Sequence, residues 1–119
     1  MIIKFHTPDG LVELAHAEEQ FLGYRGAAFR LSLAANQGLY FPMQKRDYHT
    51  MWMKDVFIPL DIIFVDNGFV VGIVEHAVPQ QTKPLYVNHP STEVIEVNAG
   101  WCLDNRITLG TQVEVSRFM

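Results

Sequence analysis

Apolar and polar residues alternate along most of this chain, with the two-residue period of strands whose side chains face opposite sides of a sheet. Two turn signals, Pro8-Asp9-Gly10 and Asn67-Gly68, stand between such runs and predict β-hairpins. The pattern predicts strands over residues 2–6, 11–15, 39–41, 48–53, 58–65, 69–74, 92–97 and 113–118.

Helical signals are few and short. Residues 18–22 are rich in helix formers and begin with acidic residues, which suit a helix N-terminus. A further helical turn is predicted within 27–35, and a single-turn helix over 99–103 with Asn98 as its N-cap. Residues 78–90 hold three prolines and predict a surface loop. The resulting prediction is an α+β, β-rich domain spanning 1–119: a curled antiparallel sheet or small β-barrel with two or three short helices.

Composition narrows the classes of partner. The chain of 119 residues carries a formal charge of −4 with acidic and basic residues interspersed, so nucleic acid is not an expected partner. No apolar run is long enough to span a membrane or to act as a signal peptide, and we expect a cytoplasmic location. The single cysteine, Cys102, leaves no internal disulfide, and the five histidines lack metal-ligand spacing. We therefore expect no cofactor or metal.

Asp61 is the most conspicuous polar residue, because both faces of its predicted strand are apolar. A carboxylate buried there needs a cation or several N–H donors. Candidate cations are Lys54, Arg25 and Arg30. A structural ion pair, or a carboxylate that caps a nearby turn, is the favoured interpretation, since such pairs arise without any catalytic role.

Trp52 and Lys54 share one face of a predicted strand, and an aromatic ring beside a cation suits a planar or sugar-like ligand. The alternative is a core tryptophan with the lysine extended along its edge. Arg25 and Arg30 add side chains suited to carboxylate or phosphate groups. The candidate ligand-binding residues are therefore Arg25, Arg30, Trp52, Lys54 and Asp61, and no catalytic residue is assigned.

Four sequence motifs resemble those of the bacterial and archaeal family called domain of unknown function 192. They are Arg25-Gly26 with Phe29-Arg30; Gly38 to Phe41; Trp52-Met53-Lys54 with Ile58-Pro59-Leu60-Asp61; and Val97 to Trp101 with Ile107. The chain departs from the family at Ala27-Ala28, where Leu-Met is usual, and at Thr111, where an Asp is usual. The resemblance implies a compact β-rich fold and supplies no substrate, cofactor or catalytic residue.

Three functional hypotheses follow. The first is a non-enzymatic binding module for a small ligand or a peptide end, at the five candidate residues. The second is an interaction or assembly subunit of a larger protein complex, which uses exposed strand edges. The third is a hydrolase-like enzyme with Asp61 as general acid or base, and it ranks last because the chain lacks a nucleophile elbow, a phosphate loop and a metal pattern.

Overall fold

Eight strands and one short helix are present in residues 1–20 and 26–117, the part of the chain that this computed structural model describes. The strands are β1 (Ile2–Thr7), β2 (Gly10–Leu14), β3 (His16–Glu19), β4 (Gln37–Asp47), β5 (Leu60–Asp66), β6 (Phe69–Ala77), β7 (Ser91–Asn98) and β8 (Gln112–Ser116). The helix, α1, covers Trp101–Asp104. No helix in these ranges has the length and hydropathy needed to cross a membrane.

The strands form one sheet in the order β2-β1-β8-β6-β5-β7-β4-β3. β3 and β4 run parallel, and the other neighbours are antiparallel. The end strands β2 and β3 do not pair with each other, so the sheet is not closed. The prediction of a β-rich fold is confirmed, but the fully antiparallel sheet and the barrel were wrong. β3 ends at Glu19 and β4 begins at Gln37, so the connection between them is long enough for the crossover that parallel neighbours require.

Both predicted hairpins are present. Asn67 and Gly68 have φ of 48° and 89°, the left-handed values that a two-residue turn between β5 and β6 needs. Gly10, with φ of 119°, begins β2 after the first turn. The turn chemistry therefore fixed the register of two strand pairs.

The helix predictions were mostly wrong. Glu18 and Glu19 lie in β3, because the buried Ala17 packs into the core while this segment pairs with β4; residues 21 and 22 lie outside the described residues. Residues 27–35 contain turns, and the positive φ values of Gly26 (58°) and Phe29 (64°) mark a backbone that does not run as a regular helix there. Within the described ranges only α1 is helical, instead of two or three helices.

The predicted third helix exists, but its cap differs. The residue before α1 is Gly100, with φ of 92° and no side-chain capping bond. Asn98, the predicted N-cap, instead donates its side-chain amide to the carbonyl oxygens of Leu33 (2.8 Å) and Ala34 (3.2 Å). Asn98 thus ties β7 to the segment that covers the sheet.

Two strand boundaries also differ from prediction. β4 continues through Pro42 to Asp47, because an irregularity in its pairing with β7 between these residues accommodates the proline. Residues 48–53 are not a strand, and only the isolated bridge between Met51 and Leu85 forms there.

Buried apolar side chains form a cluster on each face of the sheet. The first cluster includes Ile3, Phe5, Leu14, Tyr40, Ile63, Val65, Ile95, Val97, Cys102 and Ile107. The second includes Ala27, Leu33, Leu39, Met53, Val56, Leu60, Ile62, Phe64 and Val94. β5 supplies alternate residues to both clusters and is buried along its whole length, which confirms that this strand is covered on both sides.

Candidate functional site

Asp61 is fully buried, and backbone N–H groups surround its carboxylate. Oδ1 accepts a hydrogen bond from the N–H of His76 (3.0 Å), and Oδ2 accepts bonds from the N–H groups of Gly100 and Cys102 (both 3.1 Å). Both oxygens are therefore satisfied without a cation. These charge-assisted bonds connect β5 to β6 and to the start of α1, which gives the carboxylate a structural role.

Local backbone conformations direct these donors at Asp61. His76 (φ 51°) sits where two residues of β6 oppose one residue of β5, and this irregularity turns its N–H toward the carboxylate. Gly100, with φ of 92°, turns the chain so that its own N–H and that of Cys102 converge on one oxygen. A helix of four residues leaves its first N–H groups unpaired, and Asp61 accepts two of the bonds they need.

The cations considered as partners of Asp61 lie elsewhere. Arg30 donates to Oε2 of Glu18 at 2.5 Å and to the carbonyl oxygen of Gly26 at 3.3 Å. Lys54 lies over the ring of Trp52. Arg25 lies outside the described residues. Neither Lys54 nor Arg30 therefore forms an ion pair with Asp61.

Trp52 and Lys54 lie across the sheet from Asp61. The side chain of Asp61 points to the same side as Ile63 and Val65, in the first cluster, whereas Met53 packs into the second. The sheet thus separates the Trp52–Lys54 segment from the carboxylate, and the structure does not bring them together in one pocket.

Trp52 is exposed rather than part of the core, with 55% of its surface accessible. The ammonium nitrogen of Lys54 lies 5.4 Å from the centroid of the indole, within range of a cation–π interaction. A cavity of about 210 Å³ beside it is lined by Thr50, Met51, Trp52 and Pro84. We call this cavity and the adjacent Lys54 the indole site.

The backbone around the indole site is held by hydrogen bonds. Met51 exchanges two backbone bonds with Leu85, at 2.9 and 2.8 Å, and the N–H of Met53 donates to the carbonyl oxygen of Gln81 at 3.0 Å. Met53 itself is fully buried. The exposed indole is thus carried by a segment whose neighbours are anchored in the protein, a condition that favours a preformed site.

Glu96 is a buried carboxyl that the sequence analysis did not single out. Only 4% of its surface is exposed, and it lies on β7 directly between Leu39 of β4 and Ile62 of β5. Burial raises the pKa of Glu96 to about 7. Across residues 1–20 and 26–117 the structure gives it no hydrogen-bond donor or ion-pair partner. The signal was present in the sequence, since Glu96 occupies an inward position of a strand together with Val94.

Two larger cavities lie beside β6. The first, about 600 Å³, is lined by Val71, Gly72, Ile73, Glu75, Tyr86, Val87, Asn88, Ile107, Thr108 and Leu109. The second, about 560 Å³, is lined by Pro8, Glu75, Cys102, Leu103, Arg106, Ile107 and Thr108. They share Glu75, Ile107 and Thr108 and together form one groove, which we call the β6 groove.

The described residues offer little for metal or thiol chemistry. In the ranges given above, no group of three or more His, Cys, Asp and Glu side chains is arranged to hold a metal ion. Cys102 is fully buried, and its burial together with the neighbouring Asp61 carboxylate raises the pKa of its thiol. A thiol in this environment is suited to packing rather than to nucleophilic attack.

The fold and the motif positions define a class of small proteins built on one open, mixed β-sheet. The family model of DUF192, described as "Uncharacterized ACR", matches residues 3–115, and the chain belongs to this family. This finding confirms the resemblance noted from the motifs around Trp52 and Asp61. The family carries no assigned function. A comparison with curated proteins gave no match.

Solved structures share the fold. A protein of unknown function from Novosphingobium aromaticivorans is 30% identical, with a TM-score of 0.91 over 97% of this chain and 84% of that one. A protein from Sinorhizobium meliloti, described as a "putative transcription regulator", is 25% identical, with a TM-score of 0.88 over 95% of this chain and 91% of that one. The molecular function of the present protein is therefore unknown.

Proposed function

We propose that this protein is a non-enzymatic binding module whose small ligand stacks on Trp52 beside Lys54. The observation that carries the proposal is the accessible indole, 55% exposed, on a segment whose flanking residues are anchored. Exposing a large aromatic ring on an anchored segment keeps that apolar surface in water, and a ligand that covers the ring recovers its burial energy.

The dimensions and charge of the indole site indicate the class of ligand. A volume of about 210 Å³ is below that of typical pockets for drug-sized molecules, so the site accommodates one ring or one residue. Lys54 provides three N–H donors and a positive charge over the ring, 5.4 Å from its centroid. The ligand that fits best has a planar or sugar-like face and a carboxylate, as in the C-terminal residue of a peptide.

Asp61 and Arg30 are not ligand contacts in this proposal. Because both oxygens of Asp61 accept backbone hydrogen bonds and the side chain has no solvent access, the geometry does not support a hydrolase that uses it as general acid or base. Arg30 is already engaged with Glu18. Trp52 and Lys54 are the residues of the original candidate set that we retain as ligand contacts.

Tryptophan fluorescence tests the indole site directly, since Trp52 and Trp101 are the two tryptophans of the chain. In the Trp101→Phe variant, which keeps an aromatic ring against Phe5, Trp52 is the single indole reporter. This variant would be titrated with monosaccharides, aromatic carboxylates and short peptides with a free C-terminus. We expect a saturable emission change for one of these compound classes, and a thermal shift of the wild-type protein with the same compound.

Three variants provide the comparison. By thermal shift, which does not depend on the indole, Trp52→Ala and Lys54→Ala are each expected to weaken binding at least tenfold. Phe69→Ala, which removes another half-exposed aromatic ring at the β5–β6 hairpin, should leave affinity unchanged. The proposal fails if no compound perturbs Trp52 or if Trp52→Ala binds the compound as tightly as the wild type.

A further inference from the structure

We propose that the outer edge of β6 binds an extended polypeptide segment by strand addition, with a basic side chain of that segment facing Glu75. This inference goes beyond the indole site. The two regions share no lining residue, so either can fail without the other. It gives a location to the interaction role that the exposed strand edges of the sequence also predict.

The edge of β6 is open after its first two residues. β6 meets β8 at a single pair, Phe69 with Gln112, and the adjacent Val70 bonds to Thr111 and Gly110. From there β8 continues along β1, while β6 keeps β5 as its strand partner on the other side. Over residues 71–77 the described part of the chain therefore places no strand against the outer edge of β6.

Strand alternation identifies the backbone groups that are free. The N–H and C=O of Val70 point outward to their partners near β8, and the one-residue irregularity that follows returns the outward orientation to Ile73. Apart from the ladder with β5, no described residue bonds the backbone of Ile73 or Glu75. Water satisfies these groups while the edge is open, and a second backbone offers the matching donor and acceptor.

The surroundings of this edge form a channel rather than a flat surface. Residues 86–88 form one wall and residues 107–109 the other, and the two connected cavities continue the channel toward Leu103. Val87 lies tightly against β6, since a Cβ placed on Gly72 would approach its side chain to 2.4 Å. An open stretch of seven residues corresponds to about 23 Å of extended chain.

The requirement for hydrogen bonding selects the kind of occupant. A small apolar molecule would fill the walls but leave the edge N–H and C=O groups without partners. An extended peptide satisfies them and places alternate side chains against the two walls, which is how strand addition combines affinity with specificity. Half-exposed apolar side chains, Tyr86 (59%) and Leu109 (67%), are available to cover such side chains.

Charge indicates one feature of the peptide. Glu75 is exposed, lies where the two cavities join, and has no ion-pair partner in residues 1–20 and 26–117. Among the described residues that line the groove, the other charged side chain is Arg106, which pairs with Asp9 at 2.9 Å. A lysine or arginine of the bound segment complements Glu75, and the net charge of −4 favours the encounter with a basic segment.

The probe is a phage-displayed library of random twelve-residue peptides. The library is panned on the wild-type protein and counter-selected on the Glu75→Lys variant. We expect enriched sequences to contain a Lys or Arg at one fixed position. Their synthetic forms should lose at least tenfold in affinity toward Glu75→Lys and toward Thr108→Trp, which fills the channel from an exposed position. Glu13→Lys, the same charge change on β2, should bind as the wild type does.

Two backbone readouts separate strand addition from side-chain binding. Methylating the alternate peptide nitrogens that face β6 should abolish binding, whereas methylating the intervening nitrogens should not. The amide of Ile73 should exchange fast in the free protein, and its exchange rate should be at least tenfold lower in the complex. The inference is overturned if no sequence is enriched, if both methylation patterns bind equally, or if exchange at Ile73 is unchanged. Trp52→Ala should retain peptide binding, which separates this result from the indole site.

Discussion

Replacing Glu96 by glutamine should stabilise the protein in alkaline solution and have little effect in acid. Glu96 is buried on β7 between Leu39 and Ile62, and within the described ranges no donor or cation compensates an ionised carboxylate there. Glutamine keeps the size and shape of the side chain but cannot ionise. The substitution therefore isolates the cost of the charge from the cost of an altered core.

The pKa of Glu96 gives the magnitude. Burial raises the pKa from 4.5 to about 7, so the folded state holds a proton that the unfolded state releases between these values. Stability from this group is fully present below pH 4.5 and is lost as pH rises through 7. At about 1.4 kcal/mol for each pH unit of difference, the loss above pH 8 is about 3 kcal/mol.

Urea unfolding at pH 5 and pH 9 measures this loss. The free energies of unfolding of Glu96→Gln and wild type should be similar at pH 5, and the variant should be about 3 kcal/mol more stable at pH 9. In melting temperature, the gain at pH 9 corresponds to about 10 °C for a chain of this size. Glu13→Gln, on the exposed side of β2, is the control for loss of one negative charge.

An equal effect of Glu96→Gln at both pH values would refute the reasoning, because the carboxyl would then not change its protonation in this range. A variant that is less stable than wild type at pH 9 would refute it more strongly, since the ionised carboxylate would have to be stabilised in the folded protein.

Three further predictions concern the packing of the sheet. Asp61→Asn should lower the free energy of unfolding by about 3 kcal/mol, as measured with urea, because the amide cannot accept all three backbone N–H bonds at the strength of a carboxylate; an unchanged value would contradict the structural role. Gly72→Ala should cost about 1–3 kcal/mol by the same measurement, since its Cβ would overlap Val87, and Val87→Ala in the same chain should recover part of the loss. Cys102 should react with a thiol reagent only at the rate of unfolding, and rapid reaction in native conditions would show that it is accessible.

Strand positions were predictable where local signals agreed. Asn67-Gly68 specified its turn without help from the rest of the protein, because both residues adopt positive φ readily. The strand predicted over 58–65 has apolar residues on both faces, and the observed strand β5 is buried along its whole length. In such segments the local preference and the tertiary structure favour the same conformation.

Tertiary contacts decided the segments that were predicted wrongly. The sequence around Glu18 favours a helix, but pairing with β4 and burial of Ala17 make it a strand. Whether the sheet closes could not be predicted from the sequence either. Closure requires β2 and β3 to pair, and these strands lie at opposite ends of the strand order. Local preferences do not contain that information.

The candidate site was only partly predictable for the same reason. The sequence identified Asp61 as buried and in need of donors, and it offered backbone N–H groups as one solution. It could not show that His76, Gly100 and Cys102 supply them, because two of these residues follow Asp61 by about 40 positions and act through backbone rather than side-chain chemistry. Side-chain types reveal possible partners of a charge, whereas backbone donors are visible only in the fold.

The contrast between Asp61 and Glu96 bears on where function should be sought. Both carboxyls are buried on neighbouring strands of one sheet, yet Asp61 has three donors, whereas no described residue supplies one to Glu96. A fully satisfied group stabilises the fold and leaves nothing for a ligand to bind. The same criterion applied to the surface selects the free backbone of Ile73 beside Glu75. Because two copies joined edge to edge at β6 would bring two Glu75 side chains into the same channel, this edge favours a basic segment over a second copy of the chain.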